Sequence, residues 1–321
     1  MIKKSVAAAV VPIALPLIVA AAEQINRRAA AKNYPCRGAQ VNVAGRMNVW
    51  AQGKGDTAIV CISGYGTPCP AVDFQPLLCE LGSFFTCVVP ESKGYGASAQ
   101  PIARRKTQNI VNEIRAALRK AGFKPPYILM GHSMSGFFMP WWCANYPGEV
   151  SAVIGIDTSV PEQVNVPAVR NNKKPAGIKE ILEGDFGMLR RRVRRGEFDT
   201  ALKGFCMSMP DKLPQIREIC AGVSNGRGIV CEGREFTNNA LCAQKYEYPK
   251  ELPVLMFVSL QMNKAVNALG YDWLEGHKKQ VDKLENGRLV TYDAPHYLHH
   301  ERAAEMAGEI LGFLKSAKIC D

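Results

Sequence analysis

Six short apolar runs set the rhythm of this chain: residues 57–63 (TAIVCIS), 86–90 (TCVVP), 127–130 (YILM), 152–156 (AVIGI), 253–259 (PVLMFVS) and 288–292 (RLVTY). They do not alternate apolar with polar, so each reads as a strand buried on both faces. Between several of them lie segments of helical periodicity, at residues 107–121, 136–146, 271–284 and 302–315. Strands alternating with helices predict an α/β fold with a mostly parallel central sheet covered on both faces. Residues 41–50 alternate well enough for an earlier strand, and residues 27–40 read as a linker into it. The alternation breaks once. From residue 160 to residue 248 no comparable strand run occurs, only polar, glycine-punctuated and amphipathic sequence, too long for a plain loop. A helical cap inserted between two strands accounts for it. The expected organisation is therefore an N-terminal segment over 1–26, a first core part over 27–159, the cap over 160–249 and a second core part over 250–321.

The N-terminal segment changes the picture of where such a domain works. Lys3 and Lys4 precede an uncharged stretch from Ser5 to Ala22, and Glu23, Arg27 and Arg28 follow it. That layout is expected of an export signal or a signal-anchor, with Ala20, Ala21 and Ala22 as small residues suited to cleavage. Either reading places the protein outside the cytoplasm, secreted or held at a membrane. Eleven cysteines fit that setting. Cys61, Cys87 and Cys143 sit in apolar runs as small buried hydrophobes, whereas Cys69, Cys79, Cys206, Cys220, Cys231 and Cys242 lie in polar or loop-like sequence and are disulfide candidates without an assignable pairing. None shows zinc-site spacing, so no metal and no cofactor are expected. The net charge of +11 brings in nucleic acid as a partner. Its densest run, Arg190 to Arg195, lacks interleaved aromatics and any nucleic-acid module around it, so it reads as a solvated helix face.

The chemistry is concentrated in Gly131-His132-Ser133-Met134-Ser135-Gly136, an apolar strand running into a small-residue turn and then a helix. This stretch resembles the nucleophile elbow, G-x-S-x-G, of the α/β-hydrolase family, with Ser135 at the last glycine position and Gly136 directly after it. Ser63-Gly64-Tyr65-Gly66 is similar to that family's H-G-x-G oxyanion loop, with serine in place of histidine. Residues 91–98 (ESKGYGAS) resemble the D-x-R-G-x-G-x-S stretch, read here as structural. His296, just after the last strand and before an amphipathic terminal helix, falls where the family has its catalytic histidine. His299 and His300 belong to the next helical turn, and His132 and His277 are read as structural. Of Phe137, Phe138, Trp141 and Trp142, most are expected in the core.

The resemblance implies acyl transfer. Ser133 is then the nucleophile, His296 the general base, and the backbone N–H groups of Tyr65 and Met134 the oxyanion donors. The acid is less plain, since Leu260-Gln261-Met262-Asn263 offers no carboxylate at the usual site. Asp157, at the end of the strand over 152–156, is favoured as the acid, and Asp272 is the alternative. Serine at the elbow argues against haloalkane dehalogenases and epoxide hydrolases of this fold, which attack with aspartate. The expected substrate is a carboxylic ester or lipid ester, met near a membrane. Peptidase and thioesterase activities use the same machinery, and a binding protein on a degenerate hydrolase scaffold is the reading from another class, motivated by Ser63, Ser135 and the displaced acid.

Overall fold

The structure, a computed structural model, describes residues 3–172 and 178–320, with side chains described over 17–170 and 179–320. A helix, α1 (Lys3–Lys32), leads into a hairpin of β1 (Ala39–Asn42) and β2 (Arg46–Gln52), then β3 (Ala58–Ile62), α2 (Pro70–Asp73), α3 (Gln75–Leu81), β4 (Thr86–Pro90), α4 (Thr107–Lys120) and β5 (Tyr127–His132). A 3-10 turn (Ser133–Phe137), α5 (Met139–Asn145) and β6 (Val150–Ile156) follow. After the cap come β7 (Val254–Ser259), two helices (Leu260–Asn267 and Trp273–Val281), β8 (Gly287–Tyr292), a short turn of helix (Leu298–Glu301) and a terminal helix (Ala303–Ser316).

The eight strands form one sheet in the order β1-β2-β4-β3-β5-β6-β7-β8. From β4 to β8 neighbouring strands run parallel, and β2 joins β4 antiparallel. All residues of β3, β5 and β7 are buried, which is why their sequence shows continuous apolar runs. One face packs Ile128, Ile154 and Phe257 against Leu77, Leu78 and Ile310, and the other packs Leu129, Val153 and Met256 against Ile110, Ile114 and Trp142. This is the α/β-hydrolase fold.

Between β6 and β7 the described residues form helices joined by turns and loops, with no strand, as the missing strand run predicts. Its helices include α6 (Pro167–Asn172), α7 (Ile178–Asp185), α8 (Met188–Arg194), α9 (Asp199–Phe205), α10 (Leu213–Val223), α11 (Arg227–Arg234) and α12 (Phe236–Ala243). Residues 173–177 of the expected cap lie outside the described residues. The insertion meets the core closely at one backbone crossing: a Cβ on Gly94 would come within 2.6 Å of Gly228 Cα. Glycine on both sides allows that approach.

Two expectations are corrected here. Residues 27–32, read as linker, continue α1, because Glu23 and Arg27 pair one turn apart and Arg27 Nη1 donates to Asp185 Oδ1 at 2.9 Å. The arginine run is not wholly solvated either: Arg190 is buried, and its Nη2 and Nε donate to Glu23 Oε1 and Oε2, both at 2.9 Å, while Nη1 reaches Glu218. A planar guanidinium suits such a two-pronged grip, so this cation ties the cap to α1. Among the described residues no helix is long and apolar enough to cross a membrane. Met1, Ile2 and the side chains of residues 3–16, which carry most of the uncharged stretch, lie outside them.

Some of the disulfide candidates lie in surroundings other than those expected. Cys69, Cys79, Cys206, Cys220, Cys231 and Cys242 are free thiols, and Cys69, Cys206 and Cys220 are buried rather than set in polar surroundings. Their helices turn an apolar face inward that the strongly polar neighbouring sequence hides.

Candidate active site

Ser133 stands at the carboxyl end of β5, where the strand turns straight into a 3-10 turn, and its φ is +53°. A residue with a side chain rarely occupies that region, so the strain itself marks the position. Small neighbours make the bend feasible. A Cβ on Gly131 would meet Ser135 Oγ at 2.3 Å, and one on Gly136 would meet the Ser159 carbonyl oxygen at 2.3 Å. The glycine this bend requires is Gly136, which explains why Ser135 fits at the preceding position.

His296 follows β8 and brings its imidazole over this turn. Its Nε2 lies 2.9 Å from Ser133 Oγ, and its Nδ1 lies 2.5 Å from Asp157 Oδ2. With the proton on Nδ1 donated to the carboxylate, Nε2 is free to accept from the serine hydroxyl. Asp157 is fully buried, while His296 is about a quarter exposed. The three residues expected from sequence are therefore in one chain of contacts. Asp272 is not part of it: its carboxylate accepts from the Glu275 amide at 2.9 Å and caps the helix Trp273–Val281. The alternative acid is thus corrected to a helix cap, a role its position before a helical run favours.

Asp157 is held from three sides. Oδ1 accepts from the Ser259 amide at 3.0 Å and from Trp273 Nε1 at 2.8 Å, and Oδ2 from His296. Its own φ is +43°. Ser259 ends β7, at the site where sequence reasoning looked for an acid; the strand end there supplies a donor to an acid carried one strand earlier. Its hydroxyl donates to the Ala294 carbonyl at 2.6 Å, which fixes the loop carrying His296. Trp273 was missed, although it adjoins Asp272, because an indole N–H carries no pattern along the sequence.

The loop over 63–66 passes beside Ser133. A Cβ on Gly64 would stand 2.8 Å from Ser133 Cβ, so only glycine lets this backbone pass Ser133, and Tyr65 follows it. Met134, buried, is the first residue after the serine. The stretch over 91–98 is structural: Glu91 accepts from the Tyr34 hydroxyl at 2.7 Å and from Asn48 Nδ2 and the Ala97 amide, both at 2.9 Å. Burial pushes its carboxyl up to about 7 despite those donors.

A second cluster lies behind His296. His132 Nε2 donates to the His296 carbonyl at 3.1 Å, and burial, then the neighbouring His296 and His299, hold its imidazole well below the ordinary histidine range. Asp73 Oδ1 receives His300 Nε2 at 2.8 Å and has His299 Nε2 at 3.2 Å. Burial raises the Asp73 carboxyl, but His299, His300 and the more distant His132 outweigh it and leave it lowered. These are the described residues whose metal-binding atoms gather within 4.8 Å. Both imidazoles lie against the same oxygen, Asp73 Oδ1, and Asp73 Oδ2 has no hydrogen-bond partner. His277 is also structural, its Nδ1 donating to the Trp273 carbonyl at 2.7 Å.

Beside the site a cavity of about 430 Å³ opens between core and cap, walled by Pro68, Tyr297 and His300 on one side and by Leu189, Val193, Phe198 and Phe205 on the other. A larger hollow of about 720 Å³ is lined by Tyr246, Tyr271, Asp272 and Lys279; none of the three linked residues lines either space, and the smaller one comes nearest through Tyr297, the residue after His296.

The chain has the α/β-hydrolase fold, and comparison with known proteins agrees: residues 57–186 match the family model described as alpha/beta hydrolase fold. It is 34% identical over 160 residues to the uncharacterised protein YbdG of Bacillus subtilis, covering 50% of this chain and 49% of that protein. The uncharacterised YqjL of the same organism is 25% identical over 123 residues, 36% of this chain and 48% of that protein. The chain thus spans about half the length of the curated relatives it matches. Among solved structures, the α/β hydrolase ALR0039 of Nostoc sp. PCC 7120 superposes with a TM-score of 0.65 at 16% identity, covering 88% of this chain and 99% of that one. A Vigna radiata epoxide hydrolase mutant gives 0.58 at 18% identity, over 87% and 98%. At these identities the likeness establishes the fold.

Proposed function

We propose that this protein is a serine hydrolase that cleaves carboxylic esters through an acyl-enzyme on Ser133. The observation that carries the reading is the unbroken line from Ser133 Oγ through His296 to Asp157, at 2.9 and 2.5 Å, with the serine on a strained turn. In this mechanism His296 takes the serine proton as Oγ attacks the ester carbonyl. Asp157 keeps the imidazole oriented and stabilises the imidazolium. The amides of Tyr65 and Met134 receive the developing oxyanion, and His296 returns its proton to the leaving alcohol. Water then enters, is activated by the same histidine, and releases the acid.

An epoxide hydrolase occurs among the structural relatives, but this chain has serine where those enzymes attack with carboxylate. The mostly apolar cavity beside Tyr297 favours an ester with an apolar acyl or alcohol part, which agrees with an exported or membrane-held enzyme reached through the uncharged N-terminal stretch.

The test is direct. A fluorophosphonate probe should label the wild-type protein and not Ser133→Ala, and turnover of a p-nitrophenyl ester panel should fall at least about 10⁴-fold in that variant. Folded wild-type protein that neither labels nor turns over any ester would favour a binding protein on this scaffold.

A further inference from the structure

Cys69 and Cys220 come from opposite sides of the molecule and meet in its interior. Cys69 directly precedes α2, three residues beyond Gly66 of the loop that passes Ser133. Cys220 lies in the middle of α10 in the cap. Their sulfurs stand 3.7 Å apart and both residues are buried. We propose that this pair is an oxidative modification site: a disulfide between Cys69 and Cys220 that staples the cap to the loop beside the nucleophile. The inference is independent of the esterase reading.

The geometry needs little adjustment. A disulfide brings the sulfurs to about 2.05 Å, so the pair must close by roughly 1.7 Å in total, a displacement that small side-chain rotations about Cα–Cβ supply. The chain also limits the alternatives. Cys36 faces the Met209 sulfur at 3.9 Å, a thioether that forms no disulfide. Cys61, Cys87 and Cys143 lie within or beside the sheet, and Cys79 is exposed. Cys206, also in the cap, is near enough to act on Cys69 and Cys220 electrostatically and is a competitor.

The reaction is a thiol–disulfide exchange with a small-molecule disulfide such as oxidised glutathione. Cys220 borders the cavity, so an oxidant entering there meets it first. Its thiolate attacks one sulfur of the oxidant, forming a mixed disulfide and expelling one thiolate. Cys69, losing its proton, attacks the Cys220 sulfur and expels the second. The two cysteines give up two electrons and two protons, and the oxidant leaves as two thiols. Burial raises the Cys69 thiol well above its ordinary range, with the neighbouring Cys220 adding to the effect, so this second step is slow in the closed protein and fast while the cap is undocked during folding. Once formed, the bond is shielded, and the long stretch of chain between its ends makes it strongly restrict the unfolded state.

The full chain, incubated with oxidised glutathione or with dithiothreitol, is digested without reduction and mapped by mass spectrometry, and its melting temperature is recorded. The expected result is one linked pair of peptides carrying Cys69 and Cys220, two mass units below their sum, with a melting temperature about 5–10 °C above the reduced form. Dithiothreitol should abolish both. The rise should vanish in Cys69→Ser and in Cys220→Ser and persist in Cys206→Ser. Three outcomes overturn the proposal: glutathione on the exposed Cys79 with no Cys69–Cys220 link, either cysteine linked to Cys206 instead, or the link formed without a rise in melting temperature. The peptide map of the wild-type chain decides the pairing even if a variant folds poorly.

Discussion

Two buried carboxylates in this molecule face histidines, and they do opposite things with them. Asp157 accepts three hydrogen bonds, from Ser259, Trp273 and His296, and the imidazole it holds is partly open to solvent and points on to a hydroxyl. Asp73 also sits between histidines, but His299 is fully buried, Asp73 Oδ2 has no hydrogen-bond partner, and no nucleophile lies beyond. His299 stacks on Phe74 and His300 reaches back to the Asp73 carbonyl at 3.1 Å. In the proposed mechanism the first carboxylate orients a group that moves a proton. The second pins the turn immediately after His296, so its contribution is to the fold. What separates the proposed catalytic pair from the structural one is where the far nitrogen of the histidine points, since both carboxylates are equally buried.

The strongest way to break this comparison is to neutralise each carboxylate in turn. Asp157→Asn keeps an oxygen to accept from Ser259 and Trp273 while removing the charge that fixes the tautomer of His296. Ester turnover should fall about 10⁴-fold with the circular dichroism spectrum unchanged. A fall of less than tenfold rejects Asp157 as the acid.

Asp73→Ala should show the reverse pattern. Removing one partner of a buried charged network costs about 3–5 kcal/mol, read by urea denaturation, while turnover of the remaining folded protein stays within about tenfold. The pH dependence carries a sign that can be checked. Because the folded Asp73 carboxyl is lowered, its contribution is complete above the unfolded value of about 4 and is lost as pH falls from there through the folded value. The stability gap between wild type and Asp73→Ala should therefore be constant from pH 7 down to about 5 as far as this carboxyl is concerned, and close below about pH 4. A gap that widens in acid contradicts the assignment.

How much of this could be read along the chain follows from which interactions leave a local trace. Strands buried on both faces leave apolar runs, so β3 to β7 were legible, and a serine between small residues after such a run marked Ser133; β8 was expected to be buried likewise but is exposed to half-buried. His296 was legible by its place after the last strand. The end of α1 was not, because what makes it continue past residue 26 is a set of ion pairs to Asp185 and Arg190, more than 150 positions away. The arginine run misled for the same reason, since the partners of Arg190 lie on two other helices. Trp273, Asp73 and the contact of Cys69 with Cys220 likewise exist only through tertiary proximity.

The smallest expected effect separates the two aspartates that competed for one role. Asp272 and Asp157 both lie near Trp273, one preceding it in sequence and the other accepting its indole N–H. Asp272 gives its carboxylate to the Glu275 amide at the start of a helix, where a cap contributes about 1 kcal/mol through one satisfied amide and the favourable end of the helix dipole. Asp272→Ala should accordingly lower the unfolding free energy by about 0.5–2 kcal/mol and leave ester turnover unchanged. Since the capped helix carries Trp273, the same variant also asks how firmly that indole must be held. A measurable loss of turnover in folded Asp272→Ala would mean that the cap positions Trp273 against Asp157, and that the support of the acid extends one hydrogen bond further from Ser133 than its direct partners.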